Sequence, residues 1–190
     1  MTRIVLLSGS LREGSINTAL ARALAACAPG AVQCQVLTPA GVPLYDGDVE
    51  KAEGVPPTVG ALKDHVAAAA GLVVVTPEYN QGVPGVLKNA LDWMSRPADD
   101  IGRVFRGRPV AVCGATPGRG GTRLGQTALL PTLRGLGMQL WAGGSLFLDG
   151  AGSLFDAGGD WTDAQQRERA QRFMAGFATW AAAHNPVPAD

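Results

Sequence analysis

The chain has 190 residues, of which 46% are hydrophobic and 17% charged, with 16 basic and 16 acidic residues. This composition predicts one globular domain, residues 1–190, and excludes a disordered chain. A formal net charge of zero, without a clustered basic stretch, argues against nucleic acid and anionic membranes as partners.

The cysteines indicate the redox environment. Cys27, Cys34 and Cys113 are widely separated and form no C-x-x-C pair, so neither a disulfide framework nor a zinc site is predicted, and a reducing compartment is indicated. The first apolar run is too short for a signal-peptide core, and no apolar run reaches membrane-spanning length. We therefore expect a cytoplasmic protein that has no membrane segment and no metal site.

Apolar runs rich in β-branched residues alternate with helical periodicity along the whole chain. This pattern predicts an α/β fold in which helices cover both faces of a parallel sheet. The predicted strands are residues 3–8, 32–38, 71–76, 109–114 and 137–141. The predicted helices are residues 15–27, 58–69, 84–94, 122–136 and 162–183. The last helix is expected to begin with a capping box formed by Thr162 and Gln165.

Two stretches are predicted to be long loops, residues 39–57 and residues 150–159, because glycine and proline recur in the first and glycine in the second. For the first loop two interpretations stay open. It is either a surface excursion that Leu44 and Tyr45 pin to the body of the protein, or a lid over a substrate.

The loop between the first strand and the first helix, residues 8–17, has the composition of an anion site. A strand that leads into a helix through serine, glycine and arginine exposes the first backbone N–H groups and the positive end of the helix dipole. The hydroxyls of Ser10 and Ser15 can donate to phosphate oxygens, and so can the Asn17 amide and the Arg12 guanidinium. The loop therefore predicts a phosphomonoester site, with a helix that Ser15 merely caps as the alternative.

Two other phosphate-binding loops fit this segment poorly. A Walker A loop is matched at Gly9 and Gly14, but Ser15 stands where the lysine belongs, which disfavours nucleoside triphosphate chemistry. A dinucleotide fingerprint requires a glycine at position 11, where this chain has Leu11.

The loop after the third strand, residues 76–85, carries a carboxylate, an aromatic ring and a carboxamide in sequence, Glu78, Tyr79 and Asn80. Because the carboxyl ends of parallel strands meet at one edge of the sheet, this loop should face the first. A phosphate site at one end and polar groups around a flat ring at the other indicate FMN. The alternative is a plain turn beside a packed ring, and we assign no catalytic role to the solitary Glu78.

The loop after the fourth strand, residues 115–122, is also rich in glycine and leads into a helix. Its free N–H groups could stabilise the negative charge that develops at the N1/O2 edge of a reduced flavin ring. Three loops on one edge, each suited to a different part of one ligand, strengthen the prediction of FMN.

At these residues the sequence resembles the NADPH-dependent FMN reductase family of flavodoxin-like proteins, which includes soluble bacterial quinone and chromate reductases. The resemblance covers nearly the whole chain. The most specific motif is Pro77-Glu78-Tyr79-Asn80, followed by the run from Pro84 to Trp93. The other motifs are Gly9-Ser10-x-Arg12-x-x-Ser15-x-Asn17, Pro43-Leu44-Tyr45, and Pro117-Gly118 with Gly120-Gly121.

The resemblance implies a flavodoxin-like sheet of five parallel strands in the order 2-1-3-4-5. It implies that the FMN phosphate is held by Ser10, Arg12, Ser15, Asn17 and the backbone N–H of Ile16. It also implies that the ribityl chain and ring are bordered by Pro77, Glu78, Tyr79 and Asn80, with Thr116, Gly118 and Gly121 nearby. Family members form dimers or tetramers in which the partner subunit helps to wall the flavin site.

Two features depart from the family pattern or vary within it. Gln81-Gly82 follows Asn80 where many members carry a bulkier residue and then serine, which affects contacts at the edge of the ring. Arg119 lies between the glycines of the third loop, where it could attract the phosphates of the nicotinamide dinucleotide or an anionic acceptor.

The leading hypothesis is an FMN-dependent oxidoreductase in which a hydride passes from NADPH or NADH to FMN and then to a quinone or another small acceptor. One alternative is an FMN reductase for which FMN is a dissociable substrate. A second is a flavodoxin-type electron carrier, which the net charge of zero disfavours because such carriers are usually acidic.

Overall fold

All strand pairings in residues 1–185, the part of the chain that this computed structural model describes, are parallel. The strands are β1 (Thr2–Ser8), β2 (Val32–Leu37), β3 (Gly71–Val75), β4 (Pro109–Ala115), β5 (Gln139–Leu140) and β6 (Leu146–Leu148). Five of them follow the order β2-β1-β3-β4-β5, and β6 also pairs with β4. The predicted flavodoxin-like order is therefore confirmed, with a sixth strand added.

The sixth strand was not predicted, because the predicted fifth strand, residues 137–141, contains only β5. β5 pairs with the start of β4, and β6 pairs with its end, so that residues 141–145 lie between two strands on the same edge. Trp141 in this interval packs edge-on against Phe173, with ring centroids 5.2 Å apart. Gly143 and Gly144 fold over the indole, where a Cβ on Gly143 would lie 2.5 Å from Trp141 Nε1. The packing of Trp141 thus accompanies the break in the strand.

Seven α-helices connect the strands: α1 (Ile16–Ala26), α2 (Gly47–Glu53), α3 (Pro57–Ala67), α4 (Gly85–Met94), α5 (Ile101–Val104), α6 (Arg123–Gly135) and α7 (Ala164–His184) within the described residues. The five predicted helices are confirmed to within two residues at each end. Helix α2 lies inside the stretch predicted to be a loop, where Asp46 caps it by accepting a hydrogen bond from the Asp48 N–H. Short 3-10 helices cover Ala98–Asp100 and Ala151–Ser153.

The predicted capping box of the last helix is wrong by one residue. Asp163 is the N-cap, and its Oδ1 accepts from the N–H groups of Gln165 and Gln166 at 2.7 and 3.2 Å. The Thr162 hydroxyl instead donates to the Ser153 carbonyl. An ionised carboxylate at the positive end of the helix dipole is a strong cap, which accounts for the position of the boundary.

The two faces of the sheet carry separate hydrophobic cores. Alternate residues of β1 point in opposite directions: Ile4 and Leu6 pack toward α1 and α7, whereas Val5 and Leu7 pack toward α3, α4 and α6. Because helices cover both faces, a ligand of the sheet is expected at the edge where the strands end.

The described part of the chain, residues 1–185, has no helix that is long and apolar enough to cross a membrane. Over the same residues, no group of three or more His, Cys, Asp or Glu side chains is arranged to hold a metal ion. The three cysteines are free, and burial raises the pKa of the Cys34 thiol to about 11.

A buried ion pair joins α3 to the segment before β4. The Lys63 side chain is 4% exposed, and its Nζ lies 2.7 Å from Asp100 Oδ2. Asp100 Oδ1 accepts from Arg103 Nε at 2.6 Å. Hydrogen bonds from Arg103 and Lys63 hold the pKa of the Asp100 carboxyl well below its usual range.

We predict that Asp100→Asn lowers the free energy of unfolding by about 2–4 kcal/mol at pH 7, because the buried Lys63 ammonium loses its counter-charge. The pKa of Asp100 is lower in the folded protein than in the unfolded chain. Its stabilising effect is therefore present above the unfolded pKa of about 4 and is lost as the pH falls below that value.

Urea unfolding of the wild type and Asp100→Asn at pH 7 and pH 3 measures this difference. Asp99→Asn is the matched control, since Asp99 is exposed and should change stability by no more than about 0.5 kcal/mol. A difference between the wild type and Asp100→Asn that stays constant from pH 7 to pH 3 would contradict the assignment.

Candidate functional site

Three loops meet at the carboxyl edge of the sheet and form one cleft. They follow β1, β3 and β4, as the strand order requires. The cleft is lined by Ser10, Arg12, Ser15, Ile16, Asn17, Pro77, Glu78, Tyr79, Ala115, Thr116 and Pro117. Nine of the twelve predicted site residues are in this set, so residues more than 100 positions apart in the chain are brought together. Ala115 and Pro117 were not predicted, although their position beside Thr116 was a signal for them.

The other three predicted residues, Asn80, Gly118 and Gly121, do not line the cleft. Asn80 has a φ of 50° and belongs to a tight turn that Tyr79 and Gly82 close with two backbone hydrogen bonds. Gly121 has a φ of 60°, and a Cβ there would lie 2.7 Å from the Phe147 carbonyl carbon. Gly118 accepts a backbone hydrogen bond from Gly150. These residues shape the loops, and their direct contact with a ligand stays a prediction.

The serine hydroxyls at the start of α1 are buried and oriented by the backbone. Ser10 and Ser15 are 3% and 6% exposed. Ser15 Oγ accepts from the Thr18 N–H at 3.3 Å, and Ser10 Oγ accepts from the Arg12 N–H at 3.3 Å. Because each oxygen already accepts a hydrogen bond, each hydroxyl keeps its proton for a ligand.

Further donors at this end of α1 have no acceptor in residues 1–185. The backbone N–H groups of Ile16 and Asn17 lie in the first turn and make no hydrogen bond there. The Arg12 guanidinium, in the same described range, forms no ion pair. A set of hydroxyls, amides and one guanidinium is composed of donors and carries positive charge. These residues fit a phosphate dianion.

The size of the cleft also fits a phosphate group. Its volume is about 70 Å³, which is too small for a three-ring heterocycle. A ring attached to a bound phosphate would have to lie outside this volume, where Tyr79, which is 43% exposed, and Thr116 could hold it. The residues present therefore fit FMN with its phosphate enclosed and its ring accessible.

The side chain of Asn17 serves a structural purpose besides any contact with a ligand. Its Oδ1 accepts from the Ala115 N–H at 2.9 Å, and its Nδ2 donates to the Ala115 carbonyl at 2.9 Å. Asn17 is 4% exposed, so these hydrogen bonds are shielded from water. The amide fixes the first turn of α1 to the end of β4, and its second N–H remains available toward the cleft.

Glu78 joins the second loop to the third. Its Oε2 accepts from the Gly125 N–H, in the first turn of α6, at 3.0 Å. A Cβ on Gly125 would lie 3.3 Å from Glu78 Cα, so the absence of a side chain permits the close approach. Thr122, at the N-cap position of α6, makes no side-chain cap. Glu78 therefore accepts a hydrogen bond from one of the first-turn N–H groups of α6, which the sequence predicted to be free for a ligand.

The motif on α4 holds the loop that contains Pro43, Leu44 and Tyr45. Asn89 donates to the Pro43 carbonyl at 2.8 Å and accepts from the Tyr45 N–H at 2.9 Å. Trp93 Nε1 also donates to the Pro43 carbonyl, at 2.9 Å. The loop is therefore pinned by its backbone and by Tyr45, whereas Leu44 is 85% exposed. The expectation that Leu44 packs on the body of the protein is wrong.

Comparison with known proteins finds similar chains over nearly the whole length of this one. Residues 2–152 match the family model described as NADPH-dependent FMN reductase. A 2-hydroxy-1,4-benzoquinone reductase from a Burkholderia species is 38% identical over 178 residues, which cover 94% of this chain and 95% of that protein. An NAD(P)H-dependent FMN reductase from Pseudomonas aeruginosa is 36% identical over 178 residues, with 94% of each chain covered.

A solved structure has the same fold over nearly its full length. The flavoenzyme NAD(P)H:(acceptor) oxidoreductase FerB from Paracoccus denitrificans superposes with a TM-score of 0.88 at 30% sequence identity. The match covers 98% of this chain and 100% of that chain.

We predict that Asn17→Ala lowers the free energy of unfolding by about 2–4 kcal/mol in the absence of any ligand, because the N–H and carbonyl of Ala115 are left buried without partners. Urea unfolding followed by circular dichroism measures the loss. Gln171→Ala, at an exposed position on α7, is the control and should stay within about 0.5 kcal/mol of the wild type. Equal stabilities for Asn17→Ala and the wild type would show that the clamp contributes nothing.

Proposed function

This chain belongs to the NADPH-dependent FMN reductase family, and on that premise we propose that it transfers a hydride from NADPH or NADH to quinones or other small acceptors by way of FMN held at the three-loop cleft. It is an oxidoreductase that uses FMN and NAD(P)H. The observation that carries the proposed site is the set of hydroxyl, amide and guanidinium donors that line the cleft at the start of α1.

The proposed phosphate site uses these donors together. The hydroxyls of Ser10 and Ser15 donate from the inside of the loop, and the N–H groups of Ile16 and Asn17 donate along the axis of α1. Arg12 adds a full positive charge at the rim. Charge-assisted hydrogen bonds to a phosphate are stronger than neutral ones, so this end of the ligand should contribute much of the affinity.

The proposed ring site is formed by the other two loops. Pro77, Glu78 and Tyr79 form one side of the mouth, and Thr116 lies on the other. FMN, when bound, supplies the hydride chemistry. The chain's own contribution is to orient the ring and to leave one face open. Hydrogen bonds such as the one between Glu78 and Gly125 prevent the walls from moving apart.

The open mouth also supports the choice of acceptor. A planar acceptor would find room at the open mouth, because the cleft itself encloses only about 70 Å³. Relatives named 2-hydroxy-1,4-benzoquinone reductase and quinone reductase act on planar quinones, as their names state. We therefore propose quinones as the acceptor class. We also propose the cytoplasm as the location, because the three cysteines are free.

A second copy of the chain is proposed as the partner. Leu44, Tyr79, Leu124 and Leu130 are between 40% and 85% exposed. Tyr79 and Leu124 adjoin the contact between Glu78 and Gly125 at the mouth of the cleft. Contact with another subunit would remove these side chains from water and would add a wall to the proposed ring site, as in a homodimer or homotetramer.

The function is tested by flavin binding and turnover. We expect the purified protein to show the absorbance of bound FMN and to oxidise NADPH or NADH when a benzoquinone is present. FMN that stays bound through gel filtration indicates a resident cofactor, whereas FMN lost there indicates a dissociable substrate. Flavin binding without any NAD(P)H oxidation would contradict the enzymatic function and favour an electron carrier.

Arg12→Ala tests the site within the same experiment. We expect the dissociation constant for FMN to rise about tenfold or more, because one charge-assisted hydrogen bond to the phosphate is lost. The affinity for riboflavin, which has no phosphate, should not change. Arg134→Ala, a loss of one exposed charge on α6, is the control. An unchanged FMN affinity in folded Arg12→Ala would remove Arg12 from the site.

We also predict that Leu44→Asp with Leu124→Asp shifts the protein toward a monomer. A charge at each position would have to be buried in the proposed interface, which is unfavourable, whereas both positions are exposed in the single chain. Light scattering after size-exclusion chromatography measures the mass. The control is Lys51→Glu on exposed α2. A wild type that is monomeric at all concentrations tested would refute the proposed assembly.

A further inference from the structure

A second cavity lies on the other side of the phosphate loop. Its volume is about 450 Å³, which falls within the range of small-molecule sites. It is lined by Ser10, Leu11, Arg12, Glu13, Gly14, Ser15, Thr18, Ala19, Arg22, Thr38 and Ala40. Ser10, Arg12 and Ser15 line both this cavity and the three-loop cleft. The two spaces are therefore separated only by the loop that is proposed to hold the FMN phosphate.

The charged groups of the cavity favour an anion. Arg12 and Arg22 contribute two positive charges, and Glu13 contributes one negative charge. Neither guanidinium forms an ion pair or a hydrogen bond within residues 1–185. Thr18 and Arg22 are four residues apart on α1 and so lie on the same side of the helix, below its N-cap Ser15. Arg22 can therefore reach a phosphate that lies beyond the one at the start of the helix.

The remaining walls suit a nucleoside. Leu11 is 52% exposed, and together with Ala19 and Ala40 it offers an apolar surface for a flat base. The Thr38 hydroxyl can bond a ribose oxygen, and the Glu13 carboxylate can accept from a ribose hydroxyl or a base amine. Phosphate, sugar and base thus each have complementary groups in the same cavity.

The place of the cavity in the fold supports the same ligand. This chain lacks the glycine fingerprint of doubly wound folds that bind dinucleotides, but the cavity lies where those folds place the ribose of adenosine, at the end of the second strand. A carboxylate there selects the free 2′-hydroxyl, and a nearby arginine accommodates a 2′-phosphate. Here Thr38, Pro39 and Ala40 follow β2 without a carboxylate, and Arg22 lines the cavity beside them.

We propose that this cavity binds an adenosine phosphate beside the FMN phosphate, with Arg22 as its principal phosphate ligand. The proposal rests on the proposed FMN site, since Arg12 forms part of the wall between the two spaces. The adenosine phosphate has two possible sources. It is either the adenylate half of FAD, continuing over Arg12 from the flavin phosphate, or the phosphorylated adenosine of NADPH.

The experiment uses the wild type and variants outside the three-loop cleft. It compares the ratio of the dissociation constants for FAD and FMN, and the ratio of the KM values for NADPH and NADH. Isothermal titration gives the dissociation constants for FAD and for FMN, and steady-state assays give the KM for NADPH and for NADH. Arg22→Ala removes the charge, and Ala19→Phe fills the cavity. Arg134→Ala is the control for the loss of one positive charge.

If FAD is the source, Arg22→Ala and Ala19→Phe should weaken FAD binding by about tenfold or more and change FMN binding by less than about twofold. If NADPH is the source, Arg22→Ala should raise the KM for NADPH by a similar factor and leave the KM for NADH unchanged, because NADH has no 2′-phosphate. Ala19→Phe should raise the KM for both nucleotides, because both carry the adenosine that the cavity would hold. Either result supports the proposal. Both ratios remaining at their wild-type values in both variants would overturn it.

A failure of the proposed FMN site would be recognised separately. In that case the wild type binds neither FMN nor FAD, and ADP alone is titrated against the wild type, Arg22→Ala and Ala19→Phe. ADP binding that both variants weaken by about tenfold keeps the adenosine phosphate site. Absence of ADP binding to the wild type rejects that site as well.

Discussion

The hydrogen bonds that Asn17 makes to Ala115 are the interaction on which the functional edge of this protein depends. They tie the first turn of α1 to the end of β4 across 98 positions of sequence. Glu78 makes the corresponding connection from the second loop to α6. The loops thus form one unit, and the open donors at the start of α1 stay directed at a fixed point. Preorganised donors bind an anion without a further ordering cost.

Residues of the other family motifs also hold loops in place. Asn89 and Trp93 hold the backbone of Pro43 and Tyr45 rather than reach the cleft. Gly9 has no side chain where a Cβ would lie 2.9 Å from Leu87 on α4. The motifs therefore encode the support of the loops as much as the ligand contacts, and this support explains why residues outside the cleft belong to the same pattern.

Periodicity predicted the five long helices because they follow from local patterns of apolar residues, whereas the order of the strands came from the resemblance to a known family. The sixth strand was not predictable, since the break before it accompanies the packing of Trp141 against Phe173 in a distant helix. Nine of the predicted site residues line one cleft, and their contact with a ligand stays a prediction. The sequence could not reveal that the Asn17 amide faces Ala115, because an amide has the same chemistry toward a backbone as toward a phosphate.

The opening turn of α1 is the proposed site for the phosphate of a flavin. A crystal structure of the protein with FMN tests it directly, through the position of the phosphorus atom. We expect phosphate oxygens within hydrogen-bond distance of the N–H groups of Ile16 and Asn17, with the hydroxyls of Ser10 and Ser15 also donating. A phosphate bound anywhere else on the molecule would contradict it.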